Sequence, residues 1–213
     1  MLDATEGDPD TTGAEPRPAH GPDQAACVLY TEDSTGEPRG VVVTHRNLTA
    51  RALDHGWADA HRSVLAYAPH ALDAATYELW VPLLSGGRVV MAPPGRLDTG
   101  ALRRLVTEHG ATALFLTTAP FDLVTEECPE ILAEVDEVWT AGEAASATAF
   151  GRALEAAPRT AFTHAYGTTE TTAAATRHRP APASTGRRSA AHWTTPGCTS
   201  WTTGCARSRW GPR

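Results

Sequence analysis

The sequence predicts an α/β fold in which a mostly parallel sheet is flanked by helices. Two patterns carry that expectation. Short apolar or β-branched runs alternate with longer amphipathic stretches from Ala26 to Ala165, and such alternation favours parallel pairing through right-handed crossovers. Hydrophobic residues make up 41% of the 213 residues, enough to bury a sizeable core. No apolar run approaches the roughly 18–20 residues of a membrane span.

The elements follow in order. Met1 to Asp23 is acidic and rich in Pro, Gly, Asp and Thr, with nothing that resembles a signal peptide. Strands are expected at Ala26–Tyr30 and Gly40–Val43, where apolar residues cluster. Thr44 can cap a helix over Arg46–His55. Ser63–Tyr67 reads as a strand, Ala75–Leu84 as a helix apolar on one face, and Arg88–Met91 as the next strand. Asp98 or Thr99 can cap Gly100–Glu108, with Gly110 as the stop. Strands follow at Ala113–Leu116, Glu137–Thr140 and Ala161–Ala165, and Ser146 can cap a helix over Ala147–Ala156. Periodicity stops after about Arg179. The expected organisation is a lead-in over 1–24, an ordered domain over 25–180 and a tail over 181–213, with both ends disordered.

Composition excludes several chemistries. The chain has no lysine, so a Schiff-base amine and a Walker-type phosphate lysine are ruled out within it. Cys27, Cys128, Cys198 and Cys205 form no CxxC pair, which argues against a zinc site or a disulfide framework. A cytoplasmic protein with no membrane partner is expected. All acids lie at or before Glu170, whereas the segment from Pro180 to Arg213 carries five arginines and Trp193, Trp201 and Trp210. Arginines spaced with tryptophans suit single-stranded nucleic acid; a disordered tail with no specific nucleic-acid partner is the plainer alternative.

Four motifs carry the chemistry. Tyr30-Thr31-Glu32-Asp33-Ser34-Thr35-Gly36-Glu37-Pro38-Arg39-Gly40 joins two strands through a hydroxyl- and glycine-bearing loop of the kind that cradles phosphate. Leu72-Asp73-Ala74-Ala75-Thr76-Tyr77-Glu78-Leu79-Trp80 comes next, then Ala141-Gly142-Glu143-Ala144. Last is His164-Ala165-Tyr166-Gly167-Thr168-Thr169-Glu170-Thr171-Thr172. Taken alone, each reads as an ordinary turn or helix start, and Asp73 as an N-cap.

In this order and spacing, the series resembles the adenylation domains of nonribosomal peptide synthetases, within the adenylate-forming, AMP-dependent synthetase/ligase superfamily. It covers roughly Pro18 to Arg179, so the fold expected is a partial adenylate-forming large-domain core. The resemblance implies ATP-dependent amino-acid activation for secondary metabolite biosynthesis, with Mg²⁺ as cofactor and a carrier-protein domain as partner. Thr31, Ser34, Thr35, Gly36 and Gly40 would surround the ATP phosphates. His164, Ala165 and Tyr166 would line the adenine pocket, Thr169 would lie near the α-phosphate, and Glu170 would help hold the metal. Asp73 would pair with the substrate α-ammonium. The remaining pocket residues would be Ala74, Tyr77, Phe115, Trp139, Ala141, Ala165, Ala173 and Ala174. They carry no charge, which implies an apolar amino acid.

Departures from the family pattern accompany these matches. Glu32-Asp33 stands where the family has Ser-Gly, Arg39 replaces a lysine, and Thr168 replaces a proline. The YRTGD motif and the small C-terminal domain with its catalytic lysine do not occur in these residues. A truncated fragment, inactive by itself, is therefore expected. The alternatives are a catalytically dead nucleotide- or amino-acid-binding module and an acyl-CoA ligase relative, the latter disfavoured by Asp73. Residues from about Thr185 are expected to be the family's continuation read in a shifted frame. The single tryptophan codon forces Asp, Asp and Gly in that frame at Trp193, Trp201 and Trp210, each where the family pattern accepts it.

Overall fold

The computed structural model describes residues 21–32, 38–54, 56–57, 59–95, 97–143, 146–172, 174–180 and 199–200. The expectations for residues 1–20 of the lead-in and for nearly all of the tail fall outside these residues, as do Ser34, Thr35, Gly36 and Ala173.

The first two strands, β1 (Ala25–Glu32) and β2 (Pro38–Thr44), pair antiparallel with each other in a separate two-stranded sheet. A parallel crossover needs a dozen or more residues, and only residues 33–37 separate these two strands. Thr44 then caps α1 (His45–Ala52) in a reciprocal box, its Oγ1 accepting from the Asn47 N–H at 3.2 Å. The helix stops three residues before its expected end. Beyond it the Asp54 carboxylate accepts from the Gly56 N–H at 2.6 Å, a local bond that competes with the helical pattern.

The main sheet has the order β4-β3-β5-β6-β7-β8-β9 among the described residues. Its strands are β3 (Ser63–Ala66), β4 (Arg88–Met91), β5 (Ala113–Thr117), β6 (Glu137–Ala141), β7 (Ala161–Tyr166), β8 (Thr176–His178) and β9 (Thr199–Ser200). Pairing is parallel from β4 through β7 and antiparallel for β8 and β9. The crossing helices are α2 (Ala74–Leu84), α3 (Thr99–Thr107), α4 (Thr118–Glu127) and α5 (Ala147–Ala156). The Asp98 carboxylate and the Ser146 hydroxyl accept from the Ala101 and Ala149 N–H groups, capping α3 and α5 as their sequence context predicts. The sequence reading has no helix at α4. Thr118-Ala119-Pro120 looks like a loop, but the first-turn N–H groups of a helix have no partner within it, so Pro120 is tolerated there.

The chain steps one way from β3 to β4 and the other way from β4 through β7. Right-handed crossovers then put α2 on one face and α3, α4 and α5 on the other. The two cores agree with this. Leu65, Leu102, Leu114, Phe121, Phe150 and Phe162 pack under α3–α5, while Val64, Tyr77, Val81, Phe115 and Trp139 pack under α2. No helix among the described residues is long and apolar enough to cross a membrane.

Candidate functional site

In an open parallel sheet, ligands bind outside the carboxyl ends of the strands, where the strand order reverses. Here the reversal lies between β3 and β5, and the loop leaving β3 carries Asp73. Asp73 has helical dihedrals (φ −62, ψ −28) and makes no side-chain capping bond to α2, so the capping role weighed for it is not the one it plays. Its carboxylate instead accepts from the Thr169 hydroxyl at 3.4 Å, 96 residues away. Burial pushes the Asp73 carboxyl above its usual range, against hydrogen bonds from Ala74 and Thr169 and the nearby charge of Arg51. A half-buried carboxylate of this kind is suited to a cationic ligand group.

Beside Asp73, the fold gathers seven of the expected pocket residues. Ala74, Tyr77, Phe115, Trp139, Ala141, Ala165 and Ala174 belong to one buried cluster, each no more than 7% exposed. The Tyr77 ring lies 5.4 Å from Phe115 and stacks at 6.4 Å with Trp139. Trp57 packs on Tyr77 and Trp139 at 5.1 and 4.6 Å. The Arg51 guanidinium lies 4.9 Å over Trp57 and donates to the Ala174 carbonyl at 3.3 Å. Burial lowers Arg51 to about 10, and the ring face supports its charge there.

Sequence reasoning missed the polar groups behind these rings. His61 and Glu137 are each 1% exposed. His61 bonds the Tyr77 hydroxyl through Nδ1 at 2.9 Å and Glu137 through Nε2 at 3.0 Å. Glu137 also accepts from Trp139 Nε1 at 2.9 Å, the Thr163 hydroxyl at 3.1 Å and Arg179 at 3.0 Å. One signal was available: an acid opening a strand buried on both faces needs partners, because an unpaired buried charge is costly. Glu78, also 1% exposed, was missed for its own role. Its Oε2 accepts from the Tyr67 and Ala68 N–H groups at 3.1 and 3.0 Å, fixing the loop that leads to Asp73.

The expected nucleotide residues stand at the same edge. Tyr166 ends β7 with its ring 66% exposed, and Glu170 follows, exposed, in the short 3-10 turn Thr169–Thr171. A hydrogen bond from Thr168, with Arg39 of β2 nearby, holds the Glu170 carboxyl below its usual range. His164 is half-buried, its ring edge-on to Phe150 at 6.1 Å and its pKa lowered by burial and by His178. Thr31 lies in β1 opposite Arg39, and Gly40 pairs with Tyr30. A Cβ at Gly40 would make only ordinary contact with Val28.

Residues 1–205 match the family of AMP-binding enzymes. The chain is 34% identical over 156 residues to malpibaldin synthetase of Mortierella alpina, a match covering 72% of this chain and 3% of that protein. It is 32% identical over 164 residues to tyrocidine synthase 3 of Brevibacillus parabrevis, covering 73% of this chain and 2% of that protein. Among solved structures it superposes on PA1221, an NRPS protein containing adenylation and PCP domains. The TM-score is 0.74 at 32% identity, covering 79% of this chain and 34% of that one. The Klebsiella oxytoca NpsA N-terminal subdomain gives a TM-score of 0.75 at 28% identity, covering 80% of this chain and 45% of that one. The chain therefore spans a small part of either synthetase and less than half of either solved chain.

Proposed function

We propose that this chain, which belongs to the AMP-binding enzyme family, is a fragment of an amino-acid-activating adenylation domain of nonribosomal peptide synthesis. The whole domain joins an amino-acid carboxylate to the α-phosphorus of ATP and expels pyrophosphate, and the aminoacyl group then passes to a carrier-protein domain. One observation carries the reading: the Thr169–Asp73 contact joins the loop that would hold the α-ammonium to the segment that would meet the α-phosphate. The two ends of an amino acid lie that close together.

The nucleotide edge fits its cofactors in kind. An exposed aromatic face at Tyr166, the ionised Glu170 and the nearby Arg39 suit an adenine, a hard cation and phosphate oxygens. Bound Mg²⁺ would offset negative charge as pyrophosphate leaves. The substrate is an apolar amino acid, because the residues expected to line the pocket form a cluster of rings and alanines.

Calorimetry with single amino acids tests the reading. Asp73→Ala removes a charge-assisted bond of about 1.5–3 kcal/mol and is expected to weaken amino-acid binding roughly tenfold to a hundredfold. Equal affinity in the two proteins would sink it. Pyrophosphate exchange by these 213 residues alone is expected to stay at the level of a heat-killed control, since they contain no lysine. Exchange above that level, abolished by Glu170→Ala, would show that the fragment is active.

A further inference from the structure

The polar groups behind the pocket rings are arranged with a consistent direction. A carboxylate only accepts, so the His61 Nε2 facing Glu137 carries a proton. With the ring neutral, His61 Nδ1 is then the acceptor and the Tyr77 hydroxyl donates to it. The Trp139 indole N–H is likewise turned onto Glu137. One buried carboxylate thus engages the polar atom of both large rings of the cluster that includes Phe115 and the alanines. Directly it orients Trp139; through His61 it orients Tyr77. What the rings leave unengaged is carbon, and every member of the cluster is buried, none more than 7% exposed.

We propose that His61 and Glu137 are specificity-determining positioning residues, whose hydrogen-bond chain commits the Tyr77 O–H and the Trp139 indole N–H so that the site favours an apolar amino acid such as alanine over its hydroxyl analogue serine. This rests on the reading of the site as an amino-acid pocket. Arg179 extends the chain. It follows β8, which pairs with the strand bearing His164 and Tyr166, and it donates to the same Glu137 oxygen as Trp139 and Thr163. The carboxylate therefore ties the nucleotide edge to the pocket floor.

The direction of the chain makes the proposal testable in the full 213-residue protein. In Glu137→Gln the amide oxygen takes the position that receives three donors, which leaves the NH₂ facing His61. The His61 proton must then move from Nε2 to Nδ1. The Tyr77 oxygen now accepts, and its own O–H is left free to meet a ligand hydroxyl. Nitrogen NMR of the His61 ring is expected to show Nε2–H in the wild type and Nδ1–H in the variant. Calorimetry with L-alanine and L-serine is expected to show alanine preferred by the wild type and the ratio moved about tenfold toward serine in Glu137→Gln. Adding Tyr77→Phe to that variant removes the freed hydroxyl and is expected to restore the alanine preference. An unchanged ratio in folded Glu137→Gln, or no restoration in the double variant, overturns the proposal. So does a wild-type His61 protonated on Nδ1, alone or together with Nε2, a measurement that needs no variant to fold. A wild type that binds neither amino acid overturns the amino-acid reading itself, and the specificity role falls with it.

Discussion

Glu137→Ala is expected to lower the stability of the folded chain by about 3–5 kcal/mol, since each buried donor left without its acceptor costs about 1–3 kcal/mol. The substitution removes the acceptor for His61, Trp139, Thr163 and Arg179 together. Of these, His61, Trp139 and Thr163 are 1%, 0% and 0% exposed, so water cannot replace the lost bonds without opening the core. Against a typical total of roughly 5–15 kcal/mol, that is a large fraction. Urea unfolding followed by tryptophan fluorescence measures it, and Glu137→Gln, which keeps the shape and one acceptor, should lose less. A midpoint unchanged in the alanine variant would mean the network is not formed in solution.

The same carboxylate sets an acid limit. Burial pushes Glu137 up, but the hydrogen bond from His61, the charge of Arg179 and the Trp139 bond outweigh it, and the group sits below its usual 4.5. A lowered carboxylate contributes stability that is complete above the unfolded value and is lost as pH falls through the folded one. Wild-type stability is therefore expected to drop below about pH 4 more steeply than that of Glu137→Gln.

Much of the fold was legible because its signals are local. Thr44, Asp98 and Ser146 each cap a helix by accepting from an N–H three residues ahead, a pattern visible in the chain itself. Pairing direction is not local: the residues of β1 and β2 have strand character, but it is the shortness of the segment 33–37 between them, too few residues for a crossover, that requires an antiparallel pair. At the site, Asp73 and the alanine- and ring-bearing positions stood out through motif order. The groups that hold them did not. His61 and Glu137 are 76 residues apart and belong to no motif, and each alone reads as a polar residue at an element's edge. Glu78 lies inside a motif, yet its bond to the loop after β3 depends on how α2 folds back over that strand.

Glu78 supplies the second large effect, opposite in sign. Burial pushes its carboxyl from 4.5 up to about 7, and the two backbone N–H bonds only partly restrain it. The other oxygen, Oε1, is buried with no hydrogen-bond partner among the described residues. A raised group contributes stability that is complete below the unfolded value and is lost as pH rises through the folded one. Wild-type stability should therefore fall between pH 4.5 and 7 by roughly 3 kcal/mol from this residue, following the shift its environment imposes. Asp73, also raised by burial, adds to the decline in the same direction. Glu78→Gln cannot ionise, and its amide oxygen still accepts from Tyr67 and Ala68. The variant is expected to be more stable than wild type at pH 8 by about 1–3 kcal/mol, the lower figure allowing for amide donors left without partners. At pH 5 the difference should shrink or reverse. Urea midpoints across pH 5 to 8 give the comparison, and parallel curves for the two proteins would mean that Glu78 does not change its charge in this range.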